Sequence, residues 1–249
     1  MKVLASDFDN TLFFGNHDGG FKEEDIQAIL EFQREGNLFG MCTGRPFAGL
    51  LNELKGIIQP DFFIVSTGGL IMDKDYHMLY GEKVPFDIAN EIYKTYKDEV
   101  ELLPQTMSVE HVYCTCAHQD DDFATQISSM EDMRNQGLYS FSLIQSTVER
   151  ASQITKEINK KYDKVVAYQN VDSIDIVFKD CSKGAGILKL KELLNIESVA
   201  GIGDSYNDLP MLDVVDTSFT FHASPDAIKE NADYVVSSIK EAINILKEE

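Results

Sequence analysis

Two rhythms of apolar residues alternate along the chain. Short unbroken runs, Val3-Leu4-Ala5-Ser6, Leu38 to Cys42 and Phe62 to Ser66, end in polar or glycine-bearing turns, as strands buried on both faces do. Between the first two, Phe21 to Gly36 places Ile26, Ile29, Leu30 and Phe32 on one helical stripe, and Gly36 is suited to stop that helix. A second helix is expected to about Lys55, with Pro46 at its first position, where a missing amide is tolerated. From Lys183 the alternation returns: helix Lys183 to Leu194, strand Val199 to Gly203, a helix from Asp208, strands Ser218 to Phe221 and Tyr234 to Val236, and a terminal helix. Strand and helix in regular succession predict a doubly wound α/β fold around a parallel sheet.

The middle of the chain breaks this rhythm. From Gly81 to Asp180 the pattern predicts helix Phe86 to Lys97, strand Val109 to Cys116, helix Asp120 to Gln136, strand Phe141 to Gln145, helix Val148 to Lys161 and a strand pair, Val165 to Gln169 and Ser173 to Lys179. Such a run makes a separate α+β unit of about a hundred residues. The expected division is a core of residues 1–80 and 181–249 with an inserted domain of residues 81–180. A chain of 249 residues has room for both, since single cores stop growing at roughly 250–300 residues.

Charge narrows the function classes. With 22 basic against 42 acidic side chains the formal net charge is −20, which repels a nucleic-acid backbone or an anionic membrane as partner. A small anionic substrate stays compatible, because a few basic groups and a divalent cation in one cleft outweigh the global field locally. No run approaches the roughly 20 apolar residues of a membrane span, and Asp7 interrupts the N-terminus before a signal-peptide core can develop. Cys42, Cys114, Cys116 and Cys181 are too few and too scattered for a disulfide scaffold, so a cytoplasmic protein is expected. Cys114-Thr115-Cys116 fits strand alternation better than half of a metal site, there being no second Cys/His pair at ligand spacing. The sequence sets no oligomeric state; a monomer is compatible with it.

Four segments sit where an open α/β sheet binds ligands, beyond the carboxyl ends of strands or at helix starts. Asp7-Phe8-Asp9-Asn10-Thr11-Leu12 follows the first strand, and alternation lets its two carboxylates face one pocket. Thr43-Gly44-Arg45 follows the second, offering a hydroxyl and an amide beside a helix start to a phosphate oxygen. Ser182-Lys183-Gly184 opens a helix with a lysine, where the macrodipole disfavours a cation. Gly203-Asp204-Ser205-Tyr206-Asn207-Asp208 supplies hard oxygen donors of the kind Mg²⁺ prefers, although Asp208 also suits a helix cap. Singly, each is ordinary turn or cap chemistry. Their order, with the insertion between the second and third, is not.

With these four segments the sequence resembles the haloacid dehalogenase superfamily over its whole length, and specifically the Cof-type sugar-phosphatase branch. The resemblance implies a Rossmann-like core, a substrate-selecting cap at residues 81–180, and a Mg²⁺-dependent phosphatase acting on a small phosphorylated metabolite such as a sugar or polyol phosphate. It implies Asp7 as nucleophile and Asp9 as acid/base. Thr43 and Lys183 would bind the phosphoryl group, with Gly44 and Arg45 beside it, and Asn207 would hydrogen-bond near Lys183 and the phosphate. Asp204 would complete the Mg²⁺ site with Asp7 and the backbone carbonyl of Asp9, while Asp208 would hold the lysine or a metal-bound water. Two positions depart from the branch. Asn10 stands where Gly is usual, which still suits a tight turn because Asn tolerates positive φ. Thr67-Gly68-Gly69 stands where Asn-Gly is common, so substrate orientation transfers less well.

Charge alone also calls for the cation: Asp7, Asp9 and Asp204 crowded around a phosphate dianion would repel strongly. A phosphomutase would use the same aspartate and differ in keeping water out. A receiver-type phosphoacceptor lacks a hundred-residue insertion, and a silent phosphometabolite-binding protein has no use for Asp9 beside Asp7. Asp120-Asp121-Asp122 are expected to be first-turn acids that complement a helix dipole. His111, Tyr113, His118 and Gln119 are candidate substrate contacts in the insertion.

Overall fold

The computed structural model describes residues 1–15, 20–116, 123–145 and 147–248. It opens with β1 (Val3–Ser6), α1 (Glu23–Arg34), β2 (Leu38–Cys42), α2 (Phe47–Leu54) and β3 (Phe62–Val65), then doubles back through β4 (Leu70–Asp73) and β5 (Met78–Gly81). A second group follows: α3 (Phe86–Tyr96), β6 (Glu101–Gln105), β7 (Val112–Cys114), β8 (Ala124–Gln126), β9 (Ser140–Ile144), α4 (Val148–Lys161), β10 (Val165–Asn170) and β11 (Ser173–Phe178). The chain closes with α5 (Lys183–Leu194), β12 (Ala200–Ile202), α6 (Leu209–Leu212), β13 (Thr217–Phe221), α7 (Asp226–Lys229), β14 (Tyr234–Val236) and α8 (Ile239–Glu248).

The large sheet runs β14-β13-β12-β1-β2-β3-β4-β5. It is parallel from β14 to β3, as the alternation predicts, and antiparallel at β4 and β5. Helices cover both faces. Ile26, Ile29 and Phe32 of α1, Phe47 and Leu50 of α2 and Ile243 of α8 pack on Leu4, Phe39, Met41, Phe63 and Phe219. Ile187 and Leu190 of α5 and Met211 of α6 pack on Val3, Ala5, Phe62 and Ile64 from the other side. Burial on both faces is why these strands read as continuous apolar runs. Strand order reverses at β1, with β12 on one side and β2 on the other, so their carboxyl ends frame the crevice where such sheets bind ligands.

A second sheet, antiparallel in the order β10-β11-β9-β6, forms within residues 101–178. Period-two alternation divides its faces. Ile174, Ile176, Phe141, Leu143 and Leu102 bury against α3 and α4, while Asp175, Ser142, Ser140 and Gln105 point the other way, toward the carboxyl edge of the large sheet, and are buried there.

Several expected elements differ. Helix Asp120 to Gln136 is absent where described: Ala124–Gln126 is β8, paired in parallel with β7, and Met130–Met133 is one 3₁₀ turn. The Asp132 carboxylate accepts from the amides of Ser128 and Ser129, which starts that turn late and removes any longer helix. Asp120, Asp121, Asp122, His118 and Gln119 lie outside the described residues. Strand Val109 to Cys116 shrinks to β7, and β6 has no counterpart in the sequence reading because Pro104 interrupts its pattern. Pro104 is tolerated because β6 lies at the edge of its sheet. Among the described residues no helix is long and apolar enough to cross a membrane.

Candidate active site

Asp7 leaves the carboxyl end of β1 while its amide still donates to Ile202 O of β12 (2.9 Å), so its side chain emerges at the crevice. The chain then turns back tightly: the amides of Leu12 and Phe13 donate to Phe8 O, and Asn10 sits at φ 58°, the conformation its type tolerates. Phe8 is fully buried and anchors the turn.

Lys183 crosses the crevice from α5. Ser182 caps that helix, accepting from the Ala185 amide (3.0 Å), which places the lysine in the first turn. Its neighbour is glycine for a steric reason: a Cβ on Gly184 would lie 1.9 Å from the backbone oxygen of Pro210. Close contact of α5 with α6 therefore aims the Lys183 side chain between β1 and the 204–208 loop. The ammonium donates to Asp7 Oδ1 (2.6 Å) and Asp208 Oδ1 (2.5 Å), and the side chain is wholly buried. Asp208 also shapes the loop, its Oδ2 accepting from the amides of Asp204 and Ser205 (3.0 Å each).

Asp7, Asp204 and Asp208 each bring a carboxylate oxygen within 4.8 Å of the others. With all three ionised, the carboxylates would exceed the one ammonium by two negative charges. Burial, then the Asp208 charge, pushes the Asp7 carboxyl up to about 8 against the pull of Lys183. Burial and Asp208 likewise push Asp204 up to about 6. Burial opposes the Lys183 ammonium, but Asp208 and Asp7 outweigh it and its pKa rises. The cluster is short of positive charge, and its hard oxygen donors fit a divalent cation. Both oxygens of Asp208 are occupied by Lys183 and backbone amides, whereas Asp7 gives one oxygen to Lys183 and Asp204 gives one to Thr11 Oγ1 (3.2 Å). Asp7 and Asp204 are thus the better-placed donors.

Asp9 lines the same cavity with both side-chain oxygens on Arg45, from Nε at 2.9 Å and Nη2 at 2.8 Å. Arg45 also lies over the Phe8 ring, 4.8 Å from its centroid. Thr43 is buried beside it, its hydroxyl accepting from the Arg45 amide (3.2 Å), and Gly44 forms the floor of the cavity. Asn207 lines the cavity with its Oδ1 taken by Ser205 Oγ (2.5 Å) rather than by Lys183. The cavity measures about 280 Å³, and its far wall is Leu103, Gln105, Ser142, Asn170, Val171, Ser173 and Asp175 from the second sheet. None of that wall was anticipated, although an acid inside the apolar run Ile174-Asp175-Ile176-Val177 is a readable signal. Two candidate contacts lie elsewhere: His111 faces Glu110 at the surface (4.0 Å), Tyr113 packs on the apolar cluster that backs the second sheet, and neither lines the cavity.

A doubly wound sheet with a buried carboxylate and lysine cluster at its switch point places the protein among α/β proteins that bind a ligand beyond the carboxyl ends of their strands. The sequence profile of the haloacid dehalogenase-like hydrolases matches residues 4–244, and the chain belongs to that family. It is 28% identical over 264 residues to an uncharacterized protein of Mycoplasma capricolum subsp. capricolum, covering 96% of this chain and 98% of that one. It is 20% identical to a 5-amino-6-(5-phospho-D-ribitylamino)uracil phosphatase of Bacillus subtilis, covering 96% and 90%. Among solved structures, a haloacid dehalogenase-like hydrolase from B. subtilis superposes with a TM-score of 0.85 at 19% identity, covering 99% of each chain. The HAD subclass IIB sugar phosphatase BT4131 superposes at 0.79 with 20% identity, covering 100% and 98%.

Proposed function

We propose that this protein is a phosphatase that hydrolyses a small phosphorylated metabolite, a sugar or polyol phosphate, by way of a phosphoaspartate on Asp7. One observation carries the reading: Asp7 is buried at the switch point and held by a buried lysine, in a cluster of carboxylates left short of positive charge. The relatives named as phosphatases support it. Mg²⁺ is the cation that the all-oxygen donor set favours, with Asp7 and Asp204 holding it, and when bound it offsets the charge of the phosphoryl group and the carboxylates.

The chain's own residues supply the rest. Lys183 favours the ionised form of Asp7 against burial and orients it, so that a carboxylate oxygen attacks phosphorus as the ester P–O bond breaks. Thr43 and the Gly44 amide, at the loop between β2 and α2, receive phosphoryl oxygens. Asp9, protonated and released from Arg45, gives its proton to the leaving oxygen. The Asp9 carboxylate then takes a proton from the water that attacks the acyl phosphate, and inorganic phosphate leaves with Asp7 restored. The bidentate Arg45 pair is on this reading the resting arrangement. Residues 81–180 act as the cap that closes the cavity and selects substrate, and four free cysteines suit a cytoplasmic setting.

Mass spectrometry of acid-quenched Asp9→Asn protein after reaction with p-nitrophenyl phosphate or acetyl phosphate tests the mechanism. Phosphate should appear on the Asp7 peptide, and Asp7→Asn should carry none. Label on another residue, or undiminished turnover in Asp7→Asn, overturns the proposal.

A further inference from the structure

The cavity wall contributed by the second sheet has a one-sided chemistry. Among its seven residues there is no lysine, arginine or histidine, and its single charge is the Asp175 carboxylate. Asp175 is 6% exposed, and Ser142 Oγ donates to its Oδ1 at 2.6 Å. No described residue donates to Oδ2, which lies directly above the phosphate loop: a Cβ placed on Gly44 would be 2.9 Å from it. A half-satisfied buried carboxylate is costly, and the remaining oxygen calls for a donor.

The side chains linked to Asp175 by hydrogen bonds do not provide one, and Thr67 Oγ1, which faces the same Gly44 position, makes no hydrogen bond to it. Gln105 spends its amide hydrogens on Gly44 O (3.0 Å) and Ser142 Oγ (3.1 Å), which leaves its Oε1 buried without a partner. Ser142 in turn spends its hydrogen on Asp175, so the chain Gln105 to Ser142 to Asp175 passes hydrogen bonds in one direction and ends on an acceptor. Register explains the grouping, since Asp175 stands opposite Ser142 on β9, and Gln105 is one alternation along the same face. Arg45 is the cation that lines the cavity, and it is engaged by Asp9 and Glu53.

We propose that Asp175 is the specificity-determining residue of this pocket, accepting a hydrogen bond through Oδ2 from a hydroxyl or ammonium group on the leaving half of the phosphate ester and rejecting esters that carry a second anionic group there. The inference rests on the phosphatase reading above and adds the substrate's chemistry to it. A cavity of about 280 Å³ suits a substrate of monosaccharide size.

The test compares kcat/KM with Mg²⁺ for wild type, Asp175→Asn and Ser142→Ala on three probes. These are a panel of polyhydroxylated and amino-bearing monophosphates, a hexose 1,6-bisphosphate, and p-nitrophenyl phosphate, whose leaving group has no donor. Wild type should prefer its best panel member to both other probes. Losing one hydrogen bond to a charged group should lower the panel rate of Asp175→Asn by about ten- to a hundredfold, mainly through KM, with p-nitrophenyl phosphate changed less than about twofold. The bisphosphate discrimination should narrow. Ser142→Ala, which keeps the carboxylate and frees its orientation, should show a smaller loss of the same kind, and wild-type discrimination against the bisphosphate tests the idea even if Asp175→Asn does not fold. Equal losses on panel and p-nitrophenyl phosphate, a wild type that accepts the bisphosphate as well as the monophosphate, or no panel member above p-nitrophenyl phosphate overturns this assignment alone. A wild type inactive on every probe overturns the phosphatase reading, and this inference with it.

Discussion

Replacing Lys183 by methionine isolates what holds the cluster together. The side chain is wholly buried and bonded to two carboxylates at 2.6 and 2.5 Å, so Lys183→Met keeps the bulk and strands Asp7 and Asp208 with Asp204 close by. Removing one partner of a buried ion pair destabilises by about 3–5 kcal/mol, and two acceptors are stranded here, which points to the upper end. For a chain of this length about 5 kcal/mol corresponds to a fall in Tm of about 10–20 °C. Thermal and urea unfolding in chelator at pH 8 should show that loss. At pH 5 it should shrink, because Asp7 and Asp204 have folded-state pKa values of about 8 and about 6 and are then largely protonated. Lys183→Met/Asp208→Asn should recover part of the stability by removing one stranded charge. A loss under about 1 kcal/mol at both pH values, the size of an exposed ion pair, would refute the buried-cluster reasoning.

Three further outcomes are expected. In chelator the Asp7 contribution to stability should be fully present below about pH 4 and be lost as pH rises to about 8, because Asp7 is raised from 3.8 to about 8 and the folded state there binds more protons than the unfolded chain; wild type should therefore lose more stability between pH 5 and pH 8 than Asp7→Asn, Mg²⁺ should offset the loss most at the alkaline end, and equal pH dependence of the two by calorimetry would contradict the raised carboxyl. Asp204→Ala should weaken Mg²⁺ binding measured by titration calorimetry and be partly rescued by excess Mg²⁺, and unchanged binding would remove Asp204 from the donor set. Gly184→Ala, whose Cβ would meet Pro210 O at 1.9 Å, should cost about 1–3 kcal/mol in urea unfolding, and a neutral result would show that α5 and α6 are free to separate.

The alternation of buried strands with amphipathic helices carried the large sheet, because a strand buried on both faces has to be apolar throughout and a helix over it has to repeat near 3.6. Helices α4 and α5 begin and end at the residues expected from Val148 to Lys161 and Lys183 to Leu194, both with a side-chain cap at the start. The hairpin β4–β5, the edge strand β6 and the short β8 were not legible. Their pairing partners, rather than their own periodicity, make them strands, as Ala124 to Gln126 shows by pairing with Val112 to Cys114.

The same division runs through the site. Sequence by itself determined which side chains leave the carboxyl ends of β1, β2 and β12 and which open α5, since strand ends and helix caps are local. It therefore named Asp7, Asp9, Thr43, Lys183, Asp204 and Asp208 before any distance was known. Tertiary structure alone decided how they combine: that Lys183 bridges Asp7 and Asp208, that Asp9 rests on Arg45, and that Asp175 hangs over Gly44 from a strand about 130 residues away in sequence. Those contacts depend on how α5 settles against α6 and on the register of β11 against β9, and both are set by long-range packing.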